Sequence, residues 1–292
     1  MGLMDELLTD LRAETAELNA MVRGLDPAAW ELPTPAEGWA VRDQIAHLAW
    51  FDDAATAAAT DPEGFRAVLP AVLARGDSAV DELAAAARTL TAAQVHAWFR
   101  AARTRSLEAF ARLDAGARLP WYGPDMSAAS FVTARLMETW AHGQDVADAL
   151  GVVRVPTPRL RHVATLGVRA MPYGFAVRGL PVPARPVRVE LTMPDGSPWA
   201  AGPEDADDLV SGPMLDFCLL VVQRRHLADT ALRVRGETAR AWTAVAQAFA
   251  GPPGRGRPPR GEDRPPFAGG GGLLAGGGVP PGGSPGVSPG RT

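Results

Sequence analysis

The chain has 292 residues, enough for one large domain or two smaller ones, and its 47% hydrophobic and 21% charged content is that of a globular protein. A formal net charge of -4 supplies no overall pull toward nucleic acid or an anionic membrane, so neither is expected as a partner. Lysine is absent and every fixed cation is an arginine, which with 31 Gly and 27 Pro points to a GC-rich coding bias in which alanine counts carry little functional meaning.

The N-terminal stretch MGLMDELLTDLRAE is acidic where a signal peptide needs a basic start and an apolar run. No later apolar run approaches the roughly 18 residues of a membrane span, and the chain is expected to be cytoplasmic. Residues 3 to about 24 place Leu7, Leu11, Leu18, Met21 and Val22 on one stripe, predicting an amphipathic helix. Prolines in DPAAWELPTPAEGW interrupt it, and a second helix is expected from about residue 41, with Ala40 a poor N-cap and Asp43 suited to the first turn. Short helical pieces are expected over residues 63 to 88, then a long helix from Thr91 to Leu113, and after the loop GARLPWYGPDMS a fourth long helix with Ser127 as N-cap and Gly151 beyond its end. Four long helices with a stretched middle connection predict a four-helix bundle over residues 1–153.

From Pro156 the pattern changes. A connecting helix is followed by alternating Val187, Val189 and Leu191, an Asp-Gly turn and a second strand near Trp199, which predicts a hairpin. GPMLDFCLLVVQRRH reads as a buried helix, ALRVRG as a short strand and ETARAWTAVAQAFA as a final helix, giving a small α+β domain over 154–250. Residues 251–292, dominated by Gly and Pro, are expected to be a disordered tail. The lone Cys218 lies in the apolar run FCLLVV and reads as a buried, inert thiol.

The fourth helix carries Glu138, His142 and Asp145 in METWAHGQDVADAL. With Glu138 at 0°, His142 falls at about 40° and Asp145 at about 340°, one narrow stripe shared with Phe131, Ala134, Ala141 and Ala149. A carboxylate and an imidazole one turn apart are able to grip one metal ion, and His47 in QIAHLAWFD offers a third donor, leaving a fourth position free as in catalytic zinc sites. Spacing alone favours the plainer alternative, a surface ion pair or a hydrogen-bonded core histidine.

GWAVRDQIAHLAWFD together with RLMETWAHGQDVADALG resembles the paired motifs of the DinB-like metal-binding domain of mycothiol-dependent maleylpyruvate isomerases. The resemblance implies a DinB-like four-helix bundle with His47, Glu138 and His142 as ligands of a divalent metal, zinc first among candidates. It extends to about residue 250: SGPMLDFCLLVVQRRH is similar to the family's Gly, Asp and Arg helix in a sterol-carrier-like α+β domain, matching Gly212, Asp216 and Arg224. PWYGPDMSAASF points to an actinobacterial subgroup whose substrate the resemblance does not imply. Ala40 departs from the Ser or Thr of many relatives, and Arg225 beside Arg224 leaves open which arginine binds an anion at the catalytic centre.

Asp145 is expected to orient an imidazole or an arginine rather than bind metal, with the fourth-ligand role as its alternative. Arg135, one turn before the site, is expected to hold Glu138 or a substrate carboxylate, or to be an ordinary surface arginine. Trp121 and Tyr122 are expected to wall a pocket or simply to pack. His96, His162 and His226 read as exposed or boundary residues. No glycine-rich nucleotide loop and no Gly-x-Ser-x-Gly elbow is present. The expected function is a metal-dependent enzyme that activates mycothiol, a small-molecule thiol, for isomerisation or S-transfer on a small electrophile. The alternative is a non-catalytic metal- or small-ligand-binding module.

Overall fold

A computed structural model describes residues 2–74 and 78–260. The N-terminal half contains α1 (Leu3–Val22), α2 (Pro27–Trp30), α3 (Val41–Thr60), α4 (Pro62–Leu73), α5 (Ser78–Ala87), α6 (Ala92–Phe110), a two-stranded ribbon of β1 (Arg118–Leu119) and β2 (Met126–Ser127), and α7 (Ala128–Leu150). Helices α1, α3, α6 and α7 form the bundle, with α3 packed along both α6 and α7 and α1 along α7. The expected stripe of α1 is its buried face, through Leu7, Leu11, Leu18 and Val22.

Local chemistry fixes the helix ends. Ala40 caps α3 without a side-chain bond, and the Asp43 carboxylate substitutes by accepting from the Ala40 N–H at 2.9 Å. Thr91 and Gln94 form a reciprocal capping box on α6, and Ser127 accepts from the Ser130 N–H at the start of α7. Gly151, at φ 66°, closes α7 in the left-handed region as its position predicted.

The bundle core is not wholly apolar. Asp52 on α3 is fully buried and accepts from Arg103 Nε on α6 at 2.7 Å and from Arg135 Nε on α7 at 3.1 Å. Arg103 also donates to Thr139 Oγ1 at 3.0 Å. One carboxylate thus ties three of the four long helices together.

After α7 the chain forms α8 (Leu160–Arg169) and α9 (Met171–Ala176), the expected connecting helix broken in two where Pro172 cannot continue the hydrogen-bond ladder. Then come β3 (Val187–Thr192), β4 (Pro198–Ala201), β5 (Asp208–Pro213), α10 (Met214–Val221), a 3-10 turn at Leu227–Asp229, β6 (Arg233–Arg235) and α11 (Glu237–Val245). The sheet order is β4-β3-β5-β6, with the expected antiparallel hairpin of β3 and β4 and a parallel pairing of β3 with β5 that sets Val189 opposite Val210. Strand β5 was not expected from the sequence: DLVSGP holds only two large apolar residues. It is central because it pairs with β3 on one side and β6 on the other, and its buried Asp208 accepts from the Ala239 N–H at the start of α11 at 2.8 Å.

Helix α8 joins the two halves. It packs on α7 and α10, and a Cβ on Gly167 would lie 2.7 Å from Val221 Cγ2, so only glycine permits that approach. Glu14, buried on α1, meets Arg154 and Arg159, while Arg161 donates to Glu6 at 2.7 Å and to Asp10 at 2.6 Å. Cys218 is fully buried, with Sγ 3.4 Å from the Leu160 carbonyl, and burial pushes its thiol well above the ordinary value.

The first residues of the expected tail are ordered. Gly251 exchanges hydrogen bonds with the Tyr173 hydroxyl, Gly254 N–H donates to Gln247 Oε1 at 3.0 Å, and Arg260 N–H donates to the Asp229 carboxylate. Residues 251–260 therefore form a strap across the C-terminal domain, where Gly and Pro leave backbone groups free to be captured by side chains; the expectation of disorder for 261–292 lies outside the described residues.

Replacing Asp52 with Ala leaves two buried guanidiniums without their counter-charge. The variant is expected to lose about 3–5 kcal/mol of stability, measured by urea unfolding. A loss under about 1 kcal/mol would show that the arginines are compensated by other groups.

Candidate metal centre

His47 comes from α3, and Glu138 and His142 from successive turns of α7, so packing of these two helices assembles the site. His142 Nε2 lies 3.1 Å and His47 Nε2 4.0 Å from Glu138 Oε2, and the three donor atoms all fall within 4.8 Å of one another. Ligands of a tetrahedral zinc stand about 3.3 Å apart, given bonds of about 2.0–2.1 Å. Two imidazole nitrogens and one carboxylate oxygen therefore fit a zinc-type ion with shifts of about an ångström or less.

Neighbouring groups settle which nitrogen faces the site. Gln44 Nε2 donates to Thr34 Oγ1 at 2.8 Å, and that hydroxyl donates to the Trp39 carbonyl at 2.8 Å. The Gln44 amide is thereby oriented with Oε1 toward His142 Nδ1, 2.5 Å away, which must be the protonated nitrogen of that pair. Nε2 is then the ring nitrogen that faces Glu138, 3.1 Å from its Oε2, where a proton or a cation can bridge the two.

Trp39 closes one side of the pair. Its ring lies 5.2 Å from the His47 ring and is stacked on His142 at 6.0 Å and an interplanar angle of 18°. Phe51 lies 4.5 Å from His47 on another side. The space beside His47, walled by Trp39, Trp50, Phe51 and Trp98, has a volume of only about 20 Å³, room for one water. Access is at Glu138, whose side chain is 20% exposed against 3% for His142.

Burial, joined by repulsion from His142, Arg135 and Arg224, holds the His47 imidazole well below its usual range. It is therefore neutral at pH 7 and available as a donor. Burial acts to raise the Glu138 carboxyl, but the His142 hydrogen bond and the charges of His142, Arg135 and Arg224 outweigh it and keep the group below its ordinary value. The site presents a carboxylate and a neutral imidazole, the forms a metal takes.

The remaining predicted residues separate. Asp145 is fully buried and reaches no imidazole; Arg224 donates to its Oδ2 from Nε at 3.1 Å and Nη2 at 2.6 Å, and Arg257 donates to Oδ1 at 2.5 Å. Arg225 points away and pairs with Asp148 at 2.9 and 3.1 Å, whereas the charge of Arg224 acts on both His47 and Glu138. Arg135 is neither a surface arginine nor bonded to Glu138: it is 4% exposed, held by Asp52 and the Leu48 carbonyl, and touches Glu138 only through its charge.

Arg224 follows Gln223, the one non-glycine residue of positive φ (60°) among the described residues. This left-handed turn closes α10, with Arg224 N–H donating to the Leu219 carbonyl at 2.8 Å and Gln223 Nε2 to the Ala246 carbonyl at 3.0 Å. Gly212, at φ 144°, lets Ala231 and Leu232 approach within 3.1–3.2 Å of its missing Cβ, and Asp216 accepts from the Ala231 N–H at 2.7 Å. Both act on the chain path rather than on the site.

Trp121 and Tyr122 pack in an aromatic cluster with Phe65 and Phe51, one ring removed from His47. His96 faces Asn19 Oδ1 at 2.9 Å, and His226 accepts from the Ala228 N–H. His162 lies 2.8 Å from Asp10 in a group with Glu6, where Arg161 already supplies the counter-charge. Sequence reading missed Gln44, Trp39, Asp52 and Arg257. Gln44 left a trace, a polar residue one turn before His47 on an apolar face; Arg257 left none.

Gln44→Leu removes the acceptor that fixes the His142 ring. It is expected to weaken zinc binding about 10–100-fold, measured by competition with a chromophoric chelator, with the helical fold retained. Unchanged affinity would remove Gln44 from the site.

Comparison with known proteins places this geometry in context. The family described as mycothiol maleylpyruvate isomerase N-terminal domain matches residues 11–147, and one described as wyosine base formation matches residues 183–235. Two proteins of Mycobacterium tuberculosis, from strains CDC 1551 / Oshkosh and H37Rv and both described as uncharacterized, are 48% identical over 250 residues, covering 86% of this chain and 97% of each relative. The crystal structure of a mycothiol-dependent maleylpyruvate isomerase shares the fold at TM-score 0.54 and 19% identity, covering 77% of this chain and 90% of that one. A His→Ala mutant of that enzyme aligns at TM-score 0.55 and 20% identity over the same shares. No helix among the described residues is long and apolar enough to cross a membrane. The chain belongs to one family with these mycobacterial proteins, and its N-terminal half belongs to the mycothiol maleylpyruvate isomerase N-terminal domain family.

Proposed function

We propose that the protein binds a divalent metal, zinc foremost, through His47, Glu138 and His142, and uses it to activate a low-molecular-weight thiol of the mycothiol type against a small electrophile. The observation that carries this reading is the donor set itself: two imidazoles and one carboxylate within 4.8 Å, with Gln44 fixing the ring of His142. Three protein donors leave a zinc ion one position short of four, the arrangement of catalytic rather than structural sites. A metal bound there supplies Lewis acidity that favours the deprotonated form of a thiol reaching it.

The chain's own residues set the conditions around that chemistry. Trp39 and Phe51 wall the imidazole side and leave room there for no more than one water, and the partly exposed Glu138 marks the side from which a ligand approaches. Arg224, held by Asp145, directs positive charge at the site and is the residue proposed to neutralise a substrate carboxylate or developing enolate. Arg225, held by Asp148, is not assigned that role. Isomerisation and S-transfer share the first step, addition of the thiolate, and differ in whether the thiol leaves again. The 20 Å³ beside His47 favours one second reading, a metal-binding module without turnover.

Wild-type protein reconstituted with zinc is expected to hold roughly one ion per chain, and His47→Ala and His142→Ala to hold far less, by elemental analysis. Substoichiometric zinc in the wild type would remove the site. With zinc bound, adding mycothiol is expected to raise thiolate absorbance in the ultraviolet; zinc binding without that rise selects the module over the enzyme.

A further inference from the structure

A second cleft, of about 320 Å³, lies between the end of α10, α11 and the strap. Arg178, Arg225, Arg240, Arg255 and Arg257 line it together with His226, and no carboxylate does. In a chain of net charge -4 this is a concentrated cationic surface.

The arginines are only partly compensated. Arg225 pairs with Asp148, and Arg257 shares Asp145 with Arg224. Arg178 spends its donors on neutral oxygens, the Gly174, Val245 and Gly254 carbonyls at 2.9–3.2 Å. Among the described residues neither Arg240 nor Arg255 is paired with a carboxylate, and both are exposed. Burial, joined by repulsion from Arg224 and Arg225, disfavours the charged form of Arg257 despite Asp145, so the cluster is under electrostatic pressure that an anion would relieve.

We propose that this cleft binds a small polyanion, its charge carried on phosphate groups or on two or more carboxylates. The volume lies within the range of small-molecule sites, about 300–1,000 Å³. Guanidinium forks from separate elements suit bidentate contacts to such oxygens. Because Arg255 and Arg257 belong to the strap and Arg240 to α11, the ligand joins the strap to the domain, and its binding stabilises the docked strap by mass action. The site is separate from the metal centre and does not rest on the proposed thiol chemistry.

The test is calorimetric titration of the full-length protein with inorganic pyrophosphate and with citrate at low ionic strength. Three proteins are compared: wild type, the double variant Arg240→Gln/Arg255→Gln, and Arg12→Gln, which removes an exposed arginine on α1. Saturable one-to-one binding of either anion to wild type is expected, weakened about tenfold or more in the double variant, which is about 1.4 kcal/mol, and unchanged in Arg12→Gln. Tighter pyrophosphate binding assigns the charge to phosphate, and tighter citrate binding to carboxylates. The absence of saturable binding, or binding that survives the double substitution as an anion held at the metal centre would, overturns the proposal. Equal weakening in Arg12→Gln reduces the effect to overall charge and overturns it too. Both replaced side chains are exposed, and equal thermal midpoints of the three proteins confirm that the fold is retained.

Discussion

The carboxylate of Asp145 is the interaction on which the rest of the structure depends. It is wholly buried on α7 and carries three hydrogen bonds from two arginines, one following α10 and one in the strap. A buried charge left without partners would cost several kcal/mol, so the C-terminal domain and the strap must close on this group for α7 to remain in place. Glu138 and His142 stand on the same rigid helix, one to two turns away. The position of Arg224 relative to them is therefore set through a single side chain, and the role proposed for Arg224 depends on how the two halves of the molecule meet.

Charge plays a second structural part inside the bundle. Asp52 binds Arg103 and Arg135 beneath the metal centre, and Arg135 in turn adds positive potential at His47 and Glu138. The buried network that ties α3 to α7 thus also adds to the field at His47 and Glu138. The left-handed Gln223 is a further local cost, about 1–2 kcal/mol for a non-glycine residue, retained where the chain must reverse to present Arg224. Its side chain bonds to Ala246, which glycine would not do.

The parts of the fold written in local patterns were legible in the sequence. Helical periodicity and end signals at Thr91, Ser127 and Gly151 located the long helices, and alternation with an Asp-Gly turn located the β3–β4 hairpin. Strand β5 was not legible because its centrality depends on partners on both sides, and a six-residue segment with two large apolar side chains does not announce them. The cluster of His47, Glu138 and His142, proposed to hold a metal, emerged from spacing on one helix plus a matching motif on another. Gln44 and Trp39 did not, since their roles arise only when α3 and the loop before it fold against α7. Charged groups misled most: Glu14, Asp52, Arg103 and Arg135 look like surface residues by type, yet are buried because each finds an opposite charge far away in sequence.

That last separation has a consequence for how the chain is completed. Asp145 meets Arg224 across 79 residues and Arg257 across 112, and Glu14 meets Arg159 across 145. During synthesis the N-terminal bundle emerges with these carboxylates in place and their cations not yet made. Loop closure over such distances comes late, after the local helices have formed. The bundle that carries His47, Glu138 and His142 thus reaches its final form only when the strap, residues 251–260, has been delivered to it.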